Sequence, residues 1–397
     1  MTSLYVHIPF CRKKCRYCDF VSYAGKESLI DPYVEALTRE IEGLGDWGAE
    51  GLKTIYFGGG TPTLLEPRHF NKIISSIICH LSLDIGHSEL SIEANPGTAD
   101  KKKLRMLRQL GLNRLSIGVQ SFNDRHLKTL GRIHSAKEAI KFYEDARAAG
   151  FEDINLDLIF ALPNQTLAEW KNDLIKAINL MPNHLSTYNL QIEEGTPLWE
   201  MANAPSSDMP RTRTFSQGEK VPARSTLSLW ERVRVLRGSG EGFNLPTEDE
   251  ELAMYEYTIE TLTANGYKHY EISNFAKPGY ECRHNINYWK NGNYIGLGAG
   301  AHSHVNDERW ANSNSIEEYI KETATFNRRF PSKASDRGEM LFMGLRLLEG
   351  LPTEKLAGFE KEVSELINDG LLERNSGHCR LTRRGLYLGN LVFEKFV

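Results

Sequence analysis

The chain has 397 residues, of which 40% are hydrophobic and 25% are charged. This is the composition of an ordinary globular protein, long enough for two or three domains, and it excludes disordered and fibrous classes. The 48 Lys and Arg residues nearly balance the 52 Asp and Glu residues, and the net charge is −4. Because no overall basic field attracts the chain to a polyanion, we expect no nucleic-acid partner.

The hydropathy pattern and the cysteines predict a cytoplasmic location. The segment 1–10 is too short for an apolar signal core before Arg12, Lys13 and Lys14 interrupt it, and no apolar run approaches the ~18 residues of a membrane span. Six cysteines in so long a chain, three of them between positions 11 and 18, do not resemble a disulfide framework. They indicate metal ligands in a reducing compartment.

Short β-rich runs alternate with longer helical segments between residues 1 and 200. Strands are predicted at 4–8, 54–57, 90–93, 114–118, 154–159 and 185–190. Helices are predicted at 31–44, 67–81, 100–110, 123–149 (one helix or two) and 166–180. Six such βα units favour an open or partial barrel, with functional residues at the carboxyl ends of its parallel strands.

The rest of the chain departs from this alternation. Residues 206–247 are rich in Ser, Gly, Pro and Arg, and 211–237 carry six Arg and one Lys against two Glu. We interpret 206–247 as a flexible basic surface insertion with at most one short helix, the alternative being a basic arm for an acidic partner. An α+β region is predicted at 248–315, packed on the barrel of 1–205. The pattern of residues 316–397 predicts a small helical, winged-helix-like domain. The fold class is therefore α/β.

Three cysteines on one loop are the strongest chemical signal. Cys11, Cys15 and Cys18 have the spacing C-x3-C-x2-C directly after the first predicted strand. A structural zinc site needs four ligands, usually from two separated pairs, and no second pair follows. Three thiolates suit three corners of a [4Fe-4S] cluster and leave one iron open, whereas a ferredoxin supplies a fourth cysteine. Phe20 stands two positions after Cys18, and zinc or incidental buried cysteines are the alternatives.

The first strand and this loop read Tyr5-Val-His-Ile-Pro-Phe-Cys-x3-Cys-x-Tyr-Cys-Asp-Phe. With six βα units behind it, this run resembles the radical S-adenosylmethionine (SAM) family. In particular it resembles the branch that contains oxygen-independent coproporphyrinogen III oxidases and heme chaperones. The resemblance covers nearly all of 1–205 and 248–397. It implies that the open iron binds the amino and carboxylate groups of SAM, and that Tyr17 packs beside the adenine.

Polar residues follow the predicted strands in order. A glycine-rich segment, 57–62, follows the second strand, and its glycines allow close approach to a ligand without forming a Walker loop. Asp157 lies in an apolar run, where an acid needs a ligand or a partner, and Arg132 is the candidate partner. The resemblance assigns SAM binding to Tyr5, Tyr17, Gly59, Gly60, Thr61, Glu93, Gln120, Arg132 and Asp157. Gln191 is a weaker candidate, and one or two SAM molecules are compatible with the pattern.

A second site is indicated at 280–289, Tyr-Glu-Cys-Arg-His-Asn-Ile-Asn-Tyr-Trp. The imidazole of His284 can bind iron axially, and the aromatic side chains of Tyr288 and Trp289 offer flat contact surface. The pattern His-Asn-x-x-Tyr-Trp is the one that the heme-chaperone branch uses to bind heme, so the resemblance assigns heme binding to His284. Cys282 is interpreted as structural.

Other motifs are interpreted more simply. The glycines of 296–301 imitate a dinucleotide fingerprint, but no βαβ unit surrounds them, so they predict a tight turn near the site. His302 and His304 are candidate contacts to the site or to iron. Cys79 and Cys379 are expected in the core.

These features favour a radical-SAM-type heme chaperone over an enzyme, and no catalytic residue is assigned. The resemblance implies heme, a heme-acceptor protein such as a membrane respiratory enzyme, an electron donor for the cluster and a homodimer. The alternative is an oxygen-independent coproporphyrinogen III oxidase. Against it, Phe20 replaces the last cysteine of the oxidase motif, and the oxidases carry an N-terminal extension before the first strand. An electron-transfer iron–sulfur protein is a third class.

Deletion of residues 208–245 should leave folding and cofactor content unchanged, because a surface insertion carries no core contacts. Circular dichroism and iron content after anaerobic reconstitution measure both properties. Insoluble protein after the deletion would contradict the interpretation.

Overall fold

The computed structural model describes residues 2–44, 51–81, 83–203, 244–325, 333–334 and 337–396. Six parallel strands form its centre. They are Thr2–Ile8 (β1), Leu52–Gly59 (β4), Glu89–Ala94 (β5), Arg114–Gln120 (β6), Asp153–Phe160 (β7) and His184–Asn189 (β8). They pair in chain order, which confirms the six predicted βα units. Two short strands, Phe10–Cys11 (β2) and Tyr23–Ala24 (β3), follow β1 and form a separate parallel sheet of their own.

Helices connect the central strands where the periodicity predicts them. The connecting helices are Ile30–Glu42 (α1), Pro67–His80 (α2), Lys101–Gln109 (α3), Asp124–Leu130 (α4), Ala136–Ala148 (α5) and Leu167–Asn179 (α6), and Pro197–Ala202 (α7) follows β8. The predicted segment 123–149 is two helices, because Gly131 ends α4 in a left-handed conformation and Ser135 begins α5 with a capping box.

The central sheet continues at both edges into strands from the second half of the chain. These strands are Lys268–Glu271 (β9), Asn274–Ala276 (β10), Tyr294–Leu297 (β11), His302–Val305 (β12), Glu308–Ala311 (β13) and Lys333–Ala334 (β14). The order is β14-β13-β12-β11-β1-β4-β5-β6-β7-β8-β10-β9, with β11 parallel to β1 and β10 antiparallel to β8. Since β14 and β9 stand at opposite ends of this order, the described sheet is a partial barrel, as predicted.

Three further helices accompany these outer strands. They are Glu248–Ala264 (α8), Arg283–Trp289 (α9) and Ile316–Thr325 (α10). The indole nitrogen of Trp170, on α6, donates 2.9 Å to the Thr258 hydroxyl on α8, and both residues are fully buried. The α+β region therefore shares one hydrophobic core with the barrel.

The last part of the chain has its own hydrophobic core. It contains the strands Leu351–Pro352 (β15), Leu372–Asn375 (β16) and His378–Leu381 (β17), and the helices Arg337–Gly344 (α11), Glu360–Asn368 (α12), Arg383–Tyr387 (α13) and Gly389–Phe393 (α14). The hairpin of β16 and β17 agrees with the predicted wing. Cys379 is buried there, as expected.

Most of the predicted 206–247 insertion lies outside the described residues. In the part of the chain that is described, none of the helices has the length and apolarity of a membrane span. Cys79 is exposed on the solvent face of α2, so its assignment to the core is wrong; the helix buries Phe70, Ile73 and Ile77 on its other face.

Candidate functional site: a three-thiol loop over a polar barrel

The loop with the three cysteines lies over the carboxyl ends of the barrel strands. Cys11 is in β2, and the pairing of β2 with β3 closes the loop around Cys15 and Cys18. The backbone N–H of Arg16 donates to the Leu130 carbonyl, at the end of α4. All three thiols are free. Burial raises the pKa of Cys11, and the neighbouring Cys18 and Cys15 raise it further.

Each thiol has a hydrogen-bonding neighbour on the chain. The Arg132 guanidinium donates to Cys15 Sγ at 3.4 Å, Thr61 Oγ1 lies 3.6 Å from Cys11 Sγ, and Ser22 Oγ lies 3.9 Å from Cys18 Sγ. Such neighbours stabilise thiolates, which are the ligating form.

The donor set of this loop suits a cluster. Among the described residues, no group of three His, Cys, Asp or Glu side chains is gathered tightly enough to hold one metal ion. In a [4Fe-4S] cluster each cysteine binds a different iron, so its ligands need not gather around one point. Three free thiols on one loop, each beside a polar neighbour, are the donors that such a cluster takes.

The glycine segment after β4 packs directly under the cysteine loop. A Cβ on Gly60 would lie 2.6 Å from the Phe10 carbonyl oxygen, and a Cβ on Gly59, at φ +112°, would lie 2.5 Å from the His7 ring. The Gly60 N–H donates to the Ile8 carbonyl and the Gly59 N–H to Glu93 Oε2. Both N–H groups are therefore engaged within the chain, and these glycines are required by close packing against the loop.

Tyr5 and Glu93 lie on the inner wall of the barrel, one layer below this segment. The Tyr5 hydroxyl is 3.0 Å from His7 Nδ1, and the Tyr56 hydroxyl donates to Glu93 Oε1 at 2.9 Å. Burial, followed by the charge of Asp157, raises the pKa of Glu93 to about 7. At pH 7 the Glu93 carboxyl is therefore partly protonated. A cationic ligand that pairs with its carboxylate form would displace that proton.

The structure corrects the predicted pairing of Asp157 with Arg132. The Asp157 carboxylate accepts hydrogen bonds from Ser116 at 2.9 Å and from Asn155 at 2.8 Å, both within the barrel. Arg132 instead donates to Cys15, to the Gly118 carbonyl at 2.5 Å, and to Asn95 Oδ1. Neutral donors on β6 and on β7 itself satisfy the acid, which leaves the guanidinium to hold the cysteine loop.

The remaining predicted SAM contacts lie around the same opening. Tyr17 packs against Leu130, Ile159 and Leu162 beside the loop. Gln120 has φ 68°, and its side-chain oxygen is buried without a hydrogen-bond partner among the described residues. A strained backbone and an unpaired buried amide at a strand end are typical of ligand sites. Gln191, past the end of β8, is exposed.

His284 lies deep in the barrel, on the side away from the cysteines. The ring is fully buried and stacks on Tyr56 with centroids 5.1 Å apart. Its Nδ1 is 2.8 Å from Thr54 Oγ1, and its Nε2 is 2.8 Å from the Tyr288 hydroxyl. Burial lowers the pKa of His284 to about 3, so the imidazole is neutral at pH 7.

The carboxylate of Glu89 holds the start of α9. It accepts the backbone N–H groups of Arg283 at 2.9 Å and His284 at 3.1 Å, and the thiol of Cys282 lies 3.7 Å from it. Cys282 is buried, in agreement with a structural role. Glu89 thus acts as the cap that Cys282, at the N-cap position, cannot provide.

The glycine turn of 296–301 packs on the cysteine loop, as expected: a Cβ on Gly300 would lie 3.0 Å from Val21. His302, after this turn, is exposed. Burial lowers the pKa of the nearby His7, and His302 adds a smaller effect in the same direction. His304 is buried, with Nδ1 3.3 Å from the Gly292 carbonyl.

Several contributors to the site were missed from the sequence, namely Asn95, Tyr56, Thr54 and Glu89. Asn95 Nδ2 donates to Thr61 Oγ1 at 2.9 Å, and Asn95 Oδ1 accepts from Arg132. Its position two residues after Glu93 was a usable signal, because alternate residues share a face of a strand. The roles of Thr54 and Glu89 depend on α9, which is distant in the chain.

Comparison with known proteins agrees with this geometry. Residues 5–176 match the family model of the Radical SAM superfamily, and residues 333–388 match that of the HemN C-terminal domain. The coproporphyrinogen III oxidase HemN of Escherichia coli has the same fold, with a TM-score of 0.76 at 23% identity over 100% of this chain and 89% of that chain. The fold and the cysteine loop define a radical SAM protein.

Full-length relatives identify the family within this superfamily. Proteins named heme chaperone HemW from Lactococcus lactis and Bacillus subtilis are 36% and 34% identical over 100% of this chain, and the alignments cover 97% and 99% of those proteins. The protein of that name from Escherichia coli is 34% identical over 100% of this chain and 98% of its own length. The chain belongs to the HemW family of radical SAM proteins.

Replacing Gly60 by Ala should destabilise the protein by about 1–3 kcal/mol, since the new methyl group meets backbone atoms of Pro9 and Phe10 that cannot move independently. The free energy of urea unfolding measures the change. Gly86→Ala is the matched control: its Cβ would meet only the Asp84 side chain, at 3.4 Å, and a change below about 0.5 kcal/mol is expected. Equal effects of the two substitutions would contradict the packing argument.

Proposed function

We propose that this protein is a heme chaperone that holds a [4Fe-4S] cluster and SAM, binds heme and transfers it to an acceptor protein. The observation that carries the proposal is the loop of three free thiols, each beside a hydrogen-bonding group, over a polar barrel of a chain that belongs to the HemW family. Both cofactors have residues in the structure that could hold them.

Cys11, Cys15 and Cys18 would bind three irons of the cluster, and the fourth iron would bind SAM. When bound, the reduced cluster supplies an electron that can cleave SAM. Arg132 holds the loop by its hydrogen bond to Cys15, and Thr61 packs beside Cys11. Glu93, Gln120 and the other predicted contacts surround the opening below. The amide of Gln120 offers an unpaired acceptor, and Glu93 offers a carboxylate for the amino group of SAM.

Heme binding at His284 requires a local rearrangement. The neutral imidazole is the form that ligates iron, so no proton has to leave at pH 7. However, both ring nitrogens already have partners, and the ring is fully buried. Ligation at Nε2 would exchange the hydrogen bond to Tyr288 for a bond to iron, with a movement of α9 that exposes the ring.

The alternative function is that of a coproporphyrinogen III oxidase. Phe20, which stands where the oxidase motif has its last cysteine, is 69% exposed on the cysteine loop. A phenylalanine side chain has no atom that can bind iron, which favours the chaperone. The acceptor is proposed to be a protein such as a membrane respiratory enzyme. An electron donor for the cluster, a homodimer and a cytoplasmic location complete the proposal.

Replacing Cys15 by Ala should abolish the cluster, because only two cysteines would remain to hold its irons. Iron and sulfide content and the visible absorption after anaerobic reconstitution measure the loss. The control is Cys79→Ala, which removes an exposed thiol of α2 and should leave the cluster intact. A full [4Fe-4S] spectrum in Cys15→Ala would overturn the cluster assignment.

The function is tested by heme titration of the reconstituted protein, in parallel with a coproporphyrinogen III turnover assay containing SAM and reductant. Stoichiometric heme uptake without decarboxylation supports the chaperone, and decarboxylation at a catalytic rate supports the oxidase.

His284→Ala should weaken heme binding about tenfold or more while the cluster remains, since it removes the predicted axial ligand. His87→Ala, at an exposed histidine, is the control. Unchanged heme affinity in His284→Ala would mean that another residue binds the iron.

A further inference from the structure

A cavity of about 630 Å³ lies between the barrel and the C-terminal helices. It opens where β8 ends, beside the first turns of α8, and α13 and α14 form its opposite wall. Ligand sites typically have volumes of roughly 300–1,000 Å³ and occur where two structural units meet. The cavity is thus of a suitable size for a flat molecule larger than an amino acid.

Aromatic side chains form much of the cavity wall. Tyr255 of α8 stacks on Phe160, with ring centroids 6.1 Å apart and planes 10° apart, and Tyr387 contacts Tyr255 edge-on at 5.7 Å. Tyr188, at the end of β8, is 40% exposed towards the same space. Flat, rigid rings on several sides favour a planar aromatic ligand.

Among the residues that line the cavity, Arg346 is the cation. Its guanidinium lies over the Trp289 ring at 4.5 Å, and its Nε atom is buried without a hydrogen-bond partner in the described chain. The carboxylate of Glu271, fully buried nearby, balances part of its charge without forming a hydrogen bond to it. An arginine with a free donor at the end of an aromatic cavity is suited to a carboxylate.

Acidic residues on the rim give the cavity a direction. Glu193, Glu248 and Asp249 line it and are exposed to solvent. They repel a carboxylate held at the rim, whereas Arg346 attracts one inside. A ligand with all its carboxylates on one edge would therefore enter with that edge towards Arg346. The same repulsion limits affinity, which suits a carrier that has to release its cargo.

We propose that this cavity binds the heme cargo, with the propionate edge at Arg346 and the macrocycle against Tyr255 and Tyr387. The inference rests on the proposed function and adds a heme site that is separate from the iron ligation proposed at His284. Trp289 connects the two sites, because it ends the helix that begins next to His284 and its ring supports Arg346. The last residue of the His-Asn-x-x-Tyr-Trp motif thus has a role that His284 alone does not explain.

The experiment compares heme with heme dimethyl ester, in which the propionate charges are blocked, on full-length reconstituted protein. Wild type should bind heme about tenfold more tightly than the ester, because only heme can pair with Arg346. R346Q should lower heme affinity about tenfold and leave ester affinity unchanged, whereas R346K should retain most of it. R374Q, at an exposed arginine of β16, is the control and should bind both ligands like wild type.

Each outcome decides between the proposals. Equal affinity of wild type for heme and ester, or heme affinity unchanged in R346Q, overturns the cavity assignment and leaves the proposed function standing. Equal losses for heme and ester in R346Q mean that Arg346 is structural, which also overturns it. Wild-type protein that takes up no heme overturns the proposed function together with the inference. The comparison of ligands on wild type needs no variant, so it decides the question even where R346Q fails to fold.

Discussion

The hydrogen bonds of one partly buried guanidinium hold the candidate site together. Arg132, which follows α4, reaches Cys15 on the cysteine loop, Gly118 on β6 and Asn95 after β5. A charge withdrawn from most of its water needs such partners, so the loop and both strand ends are constrained to one arrangement. Asn95 extends this network to Thr61, beside Cys11. The position of Cys15 therefore depends on a residue 117 positions away, and that of Cys11 on one 50 positions away.

Below this network the barrel interior is polar and hydrogen-bonded in layers. Glu93 and Tyr56 form a middle layer, and the ring of His284 stacks beneath Tyr56. Helix α9, from a later segment of the chain, packs against β1 and β4 through His284. Glu89 at the start of β5 holds that helix by its first N–H groups. The motif assigned to heme binding is thus also a structural part of the barrel, which explains why its histidine is enclosed.

The C-terminal domain contributes more than a separate core. Its helices α13 and α14 close the aromatic cavity, and Arg346 lies between that cavity and Trp289 of the motif helix. The contact between Arg346 and Trp289 joins this cavity to α9, so a movement of α9 would alter both the cavity and the enclosure of His284.

The sequence alone determined the six βα units, because hydrophobic periodicity and caps act over a few residues. It located the loop of three cysteines, because their spacing is local. It also located the glycine segment, although the reason for these glycines, contact with Phe10 and His7, required the packed loop. Only the tertiary structure decided the partners of Asp157 and Arg132, the enclosure of His284 and the position of Arg346 in a cavity. Each of these depends on side chains brought together from distant parts of the chain, and burial and hydrogen bonding between such groups leave no local pattern in the sequence.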